Sequence, residues 1–314
     1  MANENQSLGA LAGLRKLVDD LEHERSLRNL DRVRERVETL DRLDAYNLDS
    51  QLAHAVPGEG DAALFRRAIE LRAELEAVNT RLYENIRKAI RRGDGRNALI
   101  LWVSRIESEA LLRSDANRHR AADSYDHLDE VVSGVLRFAA PGEAAVELAP
   151  EMVAYQPTPV RHIFDLIRRT RLTARDVFID LGSGLGHVSL IVAACTQARA
   201  IGIEIEPSYV DRARQCAEAL NLDNAVFFAQ DAREADLSRG TTFYLYTPFH
   251  GAILRAVLDR LRLAATAHEI RVCAFGPCTP IVDAEAWLMF DSAESGHISV
   301  FRSRIQARPS AHSA

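Results

Sequence analysis

The stretch VFIDLGSGLGHVSL, Val177–Leu190, carries strand formers into an acid, then three glycines at every second position, then an apolar helical run. A strand that passes directly into a glycine-rich turn and a helix brings backbone N–H groups and a helix N-terminus against a ligand. Two ligand classes compete for such a loop, and a ligand-free tight turn is the third reading. A dinucleotide fingerprint, G-x-G-x-x-G/A, would begin at Gly182 and Gly184 and require a small residue at 187. That position is His187, and the third glycine is Gly186. Asp180, two residues before the first glycine, would also repel a pyrophosphate. It suits a ligand with a cationic amino group.

The surroundings of this stretch predict the fold. From about residue 155 the chain alternates short apolar strands with helices, which argues for a parallel sheet covered on both faces. The predicted strands are 177–181, 199–205, 225–229, 241–247 and 270–275. The run AWLMFDSAESGHISVFRSR, with two β-rich segments around a Ser-Gly turn, adds a C-terminal antiparallel hairpin. Upstream, residues 1–150 read as helical. Leu8, Leu11, Leu14, Val18 and Leu21 make one apolar stripe; Leu30, Val33, Val37, Leu40 and Leu43 make a second. A longer helix starts near Asp61, a candidate cap, and stops at Gly93. Further helices are expected at about 97–113 and 125–138, with AAPGEAAVELAP as a linker. The expected organisation is therefore a helical domain over 1–150, a candidate for assembly or substrate recognition, an α/β domain over 151–305, and a flexible tail over 306–314.

At 314 residues with 47% hydrophobic content, the chain can bury two cores. The start, MANENQSLGALAGLRKLV, lacks a basic region followed by an apolar one, and no apolar run approaches the roughly 18 residues of a membrane helix. A cytosolic protein without membrane contact is expected. The net charge of -6 gives no bulk attraction for nucleic acid. Cys195, Cys216, Cys273 and Cys278 read as reduced core residues, because the C-x4-C pair has no second pair to complete a zinc site.

Past the glycine loop, the segment AIGIEIEP puts Glu204 at the end of the second strand, and FFAQDA puts Gln230 and Asp231 after the third. With Asp180-Leu181-Gly182-Ser183-Gly184-Leu185-Gly186, these motifs resemble the class I S-adenosylmethionine-dependent methyltransferases over residues 155–303. The resemblance implies a Rossmann-like, doubly wound seven-stranded sheet and S-adenosylmethionine as cofactor. It implies cofactor contacts at Thr158, Asp180, Gly182, Ser183, Gly184, Gly186, Glu204, Gln230 and Asp231, with Glu204 on the ribose hydroxyls and Asp231 on the adenine amino group. YQPTP, the glycine loop, GIEI and the TPF turn further resemble seven-strand protein lysine methyltransferases, the disruptor-of-telomeric-silencing type and its archaeal relatives.

That resemblance implies methyl transfer to a protein side-chain nitrogen, with Tyr155, Thr247, Pro248 and Phe249 at the acceptor end and Tyr155 and Phe249 lining a narrow channel. Thr247-Pro248-Phe249 departs from the asparagines or (N/D)-P-P-(F/Y/W) of related amine-methylating enzymes, and threonine lacks the paired amide geometry that holds a planar amine. Methylation of a small-molecule or nucleic-acid amine, or a noncatalytic cofactor-binding module, therefore stays open. So does the oligomeric state. A protein partner is expected, and nucleic acid is not favoured.

Several residues have local explanations. Thr158-Pro159 makes a good helix start, with Thr as N-cap and Pro at the first position. His250 reads as the start of the next helix rather than a general base, and His187 as a shaper of the loop. Asp126, His127 and Glu130 read as a solvated helix face rather than a metal pair. The basic cluster RKAIRRGDGR complements a helix C-terminus.

Overall fold

The computed structural model describes residues 2–50, 60–101, 103, 125–138, 149–153, 155–291 and 297–304. Most of the helix expected at 97–113, nearly all of the linker and the tail from 306 lie outside the described residues. The chain divides into two compact units, Met1–Ile86 with Asp126–Val135, and Arg87–Tyr125 with Leu136–Ala314.

In the first unit, α1 (Ala2–His23), α2 (Val33–Asp44) and most of α3 (Gly60–Arg91) bury a leucine-rich core that includes Leu14, Leu21, Leu43, Phe65, Leu71 and Leu75. α3 ends as its sequence predicts: Gly93 is left-handed at φ 79, and Asp94 N–H closes back on the Ala89 carbonyl at 2.9 Å. The second apolar stripe differs from expectation. The buried face of α2 is Val33, Arg36, Thr39 and Leu43, whereas Val37 and Leu40 are half-buried. Arg36 is tolerated at 0% exposure because its guanidinium donates to the carbonyls of Leu27 and Asn29 at 2.9 and 2.8 Å and to Asn79 Oδ1 at 2.5 Å. The helix α4 (His127–Leu136) opens on a pair of side-chain caps. Asp126 Oδ1 accepts from Leu128 N–H at 2.8 Å and Asp129 Oδ2 from Asp126 N–H at 2.7 Å, a reciprocal cap.

The second unit is a seven-stranded sheet in the order β3-β2-β1-β4-β5-β7-β6. The strands are β1 (Val177–Leu181), β2 (Arg199–Glu204), β3 (Ala225–Ala229), β4 (Thr242–Tyr246), β5 (Arg271–Phe275), β6 (Leu288–Phe290) and β7 (Ser299–Ser303). The first five are parallel, with Ile179 opposite Ile201 and Phe243 in the register, and β7 runs antiparallel between β5 and β6. This is the Rossmann-like doubly wound sheet with its terminal hairpin. The hairpin inserts its second strand, so β6 becomes the edge. Four longer helices, α5 (Val160–Thr170), α6 (His187–Cys195), α7 (Pro207–Ala219) and α8 (Gly251–Ala264), cover it. α6 can pass beside the sheet because seven of its nine residues are buried, as its unbroken apolar sequence requires. All four cysteines are buried and free.

Candidate functional site

The strand order reverses between β1 and β4, and in open parallel sheets a crevice forms at the carboxyl ends of the strands at that point. A cleft of about 730 Å³ lies there, within the usual range for small-ligand sites. Asp180, Glu204, Glu206 and Asp231 line it together with Tyr155, Tyr209, Tyr244 and Tyr246, and among its described lining residues there is no lysine or arginine.

The glycine loop forms one wall. Gly182, Gly184 and Gly186 have φ of 82, 53 and 85, which side chains resist. A Cβ on Gly184 would also stand 2.0 Å from the Tyr155 ring, and one on Gly182 2.2 Å from Pro248. The loop amides turn into the protein. Gly182 and Ser183 N–H both donate to the Ile203 carbonyl at 2.9 and 3.0 Å, Gly186 N–H to Ser183 at 2.8 Å, and Gly184 N–H to Glu204 Oε2 at 2.7 Å. A phosphate cradle needs those donors free, so the geometry sides with the sequence against a dinucleotide.

Each acid has its own environment. Asp180 is 3% exposed, and burial pushes its carboxyl from the usual 3.8 up to about 8, so it is largely protonated at neutral pH. Ser189 Oγ is a long 3.4 Å from it. Glu204 Oε1 accepts from Ile205 and Glu206 N–H at 2.8 and 3.0 Å; with Gly184 on Oε2, three of about four lone-pair sites are taken. Asp231 accepts Arg233 in a forked pair at 2.7 and 3.1 Å, and this hydrogen bonding holds its carboxyl below the ordinary range. The neighbour Gln230 lines the same stretch and ties its N–H to the Glu204 carbonyl at 2.8 Å.

Tyr155 lies beneath the loop, its hydroxyl 2.7 Å from His187 Nδ1. Burial pushes the phenol well above its ordinary pKa and the imidazole down to about 4, so the phenol donates and a neutral ring accepts. Thr158 does not cap α5: Pro159 occupies the cap position, no side chain caps there, and Thr158 Oγ1 instead lies 2.9 Å from the Tyr244 hydroxyl across the cleft floor.

The turn after β4 is strained and pinned. Thr247 has φ 39, a left-handed conformation that costs a β-branched residue roughly 1–3 kcal/mol. Its hydroxyl donates to the Phe275 carbonyl at 3.0 Å and accepts from Cys278 N–H at 3.1 Å, so much of its capacity is used within the fold. Val153 N–H reaches the Pro248 carbonyl at 3.1 Å, Met152 bridges Phe249, and Glu151 caps α8 through Ala252 and Ile253 N–H at 3.1 and 3.3 Å. Phe249 is 5% exposed within the core that holds Ile253 and Leu254, so it borders the cleft as a wall and leaves no free rim. His250 is the cap position of α8, as its sequence suggested.

Residues 172–262 match a family described as a methyltransferase domain. The chain carries an S-adenosylmethionine-dependent methyltransferase domain. Among curated proteins no sequence matches. Solved structures similar to it include an RNA methyltransferase from Salinibacter ruber in complex with S-adenosyl-L-homocysteine, at 26% identity over 49% of this chain and 97% of that one, TM-score 0.36. A precorrin-6y C5,15-methyltransferase from Geobacter metallireducens is similar at 17% identity over 51% and 94%, TM-score 0.38. A tRNA (uracil-54, C5)-methyltransferase from Pyrococcus abyssi is similar at 20% identity over 48% and 39%, TM-score 0.36.

The cleft of the methyltransferase domain fits its cofactor. Four acids line the cleft, Asp231 among them paired with an arginine, which suits a ligand with ammonium and sulfonium charges, and the buried Ser183 Oγ has no partner among the described residues. Sequence reasoning missed Glu206, Tyr209, Tyr244 and Tyr246. The alternation of Tyr244 and Tyr246 on β4 was the available signal, because residues two apart share a face.

Proposed function

We propose that the domain methylates a side-chain nitrogen of a protein, an amine of the lysine type. The observation that carries this reading is a cleft with no arginine or lysine among its described lining residues, whose β4 end is walled by Tyr246, Phe249, Ile253, Pro277 and Ile281. Such a wall admits an alkyl amine and offers nothing to a phosphate-bearing acceptor. When bound, S-adenosylmethionine supplies an activated methyl group on a sulfonium.

The residues of this chain bind, orient and exclude water. In this reading Asp180 and Ser183 face the cofactor's amino-acid end, and Gly182, Gly184 and Gly186 give it backbone room. Glu204 takes the ribose through its remaining acceptor site, and Gln230 and Asp231 hold the adenine edge, with Asp231 sharing its oxygens with Arg233. Thr158 fixes Tyr244 beneath, while Tyr155, Thr247, Pro248 and Phe249 shape the passage to the acceptor. A lysine must lose its proton first, which from a pKa of about 10.4 costs roughly 5 kcal/mol at pH 7; the apolar wall disfavours the ammonium form and lowers that cost.

A host lysate incubated with the protein and methyl-labelled cofactor tests the reading. Label in protein, retained as methylated lysine after acid hydrolysis, is the expected result. Label in RNA or in small metabolites overturns the acceptor assignment, and no label despite cofactor binding leaves a noncatalytic module.

A further inference from the structure

A second groove of about 740 Å³ lies in the same unit, away from the strand ends that form the cofactor cleft. The described residues that line it are all different from those that line that cleft. The floor is apolar, with Ile100, Phe164, Ile167 and Leu172, and Arg96, Arg161, Arg168 and Arg171 also line it. Asp165, the one acid among its described lining residues, is engaged by Arg168 at 2.6 Å and by Arg169 at 3.7 Å. In a chain of net charge -6 this is a local reversal of sign among the described lining residues, and it contrasts with the first cleft, whose described lining holds no lysine or arginine.

Arg171 adds an independent observation. It occupies the C-cap of α5 at φ 46 and ψ 47, the left-handed position that glycine fills by default. An arginine there holds a backbone strain that a glycine would relieve, and Arg171 lines both this groove and a smaller neighbouring one with Arg169, Arg271 and Arg302. Strain kept at one residue points to a role for its side chain.

We propose that this groove binds a nucleoside phosphate, its phosphate held by the guanidinium groups of Arg96 and Arg171 and its nucleoside lying on the apolar floor. Guanidinium forks match phosphate oxygens in pairs, and the floor accounts for a ligand larger than a bare anion. The same chemistry is offered by a free nucleotide or by one unit of a polynucleotide strand.

The test is calorimetric titration of uridine 5′-monophosphate, a uridine oligonucleotide and inorganic phosphate into protein saturated with S-adenosylhomocysteine, which removes the catalytic cleft from the measurement. Saturable binding of the mononucleotide or the oligonucleotide, at least about tenfold tighter than inorganic phosphate, is expected, and the tighter of the two identifies the source. R171G should weaken that binding about tenfold or more while its Tm stays level or rises and its affinity for S-adenosylhomocysteine is unchanged. No saturable binding, equal binding of inorganic phosphate, or full retention in R171G overturns the proposal. If S-adenosylhomocysteine itself fails to bind, the cofactor reading fails separately, and the titration of the unliganded protein still decides the groove.

Discussion

The Tyr155 hydroxyl lies 2.7 Å from Nδ1 of His187, which joins the segment leading into the domain to the first residue of the helix after the glycine loop. The ring of Tyr155 packs where a Cβ on Gly184 would stand, so this bond sets the position of the aromatic wall against the loop. The ring of Phe138 also packs against His187, tilted by 60° at a centroid distance of 4.7 Å.

His187→Phe should keep the packing and lose the acceptor. The expected result is a modest loss of stability, roughly 1–2 kcal/mol, and weaker binding of S-adenosylmethionine by calorimetry. Tyr155→Phe should have a similar effect, and the double variant should add little more, because one interaction is removed in all three. Additive losses would show that the two side chains act independently.

The pH dependence of stability has two opposing parts. His187 is pushed down to about 4 from 6.5, so its contribution is present above 6.5 and is lost as pH falls toward 4. Asp180 is pushed up to about 8 from 3.8, so its contribution is present below 3.8 and is lost as pH rises through 8. Asp180→Asn should remove the second slope, leaving a protein more stable than the parent above pH 8 in chemical denaturation. A parallel pH profile for parent and variant would refute the burial argument for Asp180.

Cofactor affinity follows from the same carboxyl. The ammonium of the cofactor favours the ionised Asp180, which in the free protein is the minor form below about pH 8. Binding should release a proton at pH 7, and affinity should increase from pH 6 to pH 8. Calorimetry in buffers of different ionisation enthalpy reads the proton directly, and Asp180→Asn should abolish the release.

Glu204 is a structural acceptor as well as a candidate ribose ligand, because it holds three backbone N–H groups, including that of Gly184. Glu204→Ala should therefore destabilise the ligand-free protein by roughly 1–3 kcal/mol in addition to weakening the cofactor. A variant that loses binding with an unchanged Tm would assign Glu204 to the ligand alone.

In the helical unit, Arg36→Ala should cost about 3 kcal/mol, since it removes the guanidinium from the buried carbonyl of Leu27 and from the side-chain amide of Asn79. Loss of helical signal at lower denaturant, with cofactor binding retained, is the expected readout.

The sequence by itself determined the parallel sheet, the glycine turn and the position of its acids, because these rest on local rules. Alternating strands and helices, a glycine wherever φ must be positive, and an acid at a strand end are all written in adjacent residues. The five parallel strands lie within one residue of their expected limits for that reason. What only the tertiary structure decided involves partners distant in sequence. Thr158 has a local pattern that fits a cap, yet its hydroxyl goes to Tyr244, 86 residues away, because the β4 floor offers a buried partner. Arg36 takes a place on the apolar face that a periodicity argument gives to Val37, since carbonyls from a neighbouring turn satisfy it. The amides of the glycine loop look free in sequence and are consumed by Ile203 and Glu204 from β2. Hydrogen-bond satisfaction in a buried site is a property of the assembled neighbourhood, and no spacing along the chain encodes it.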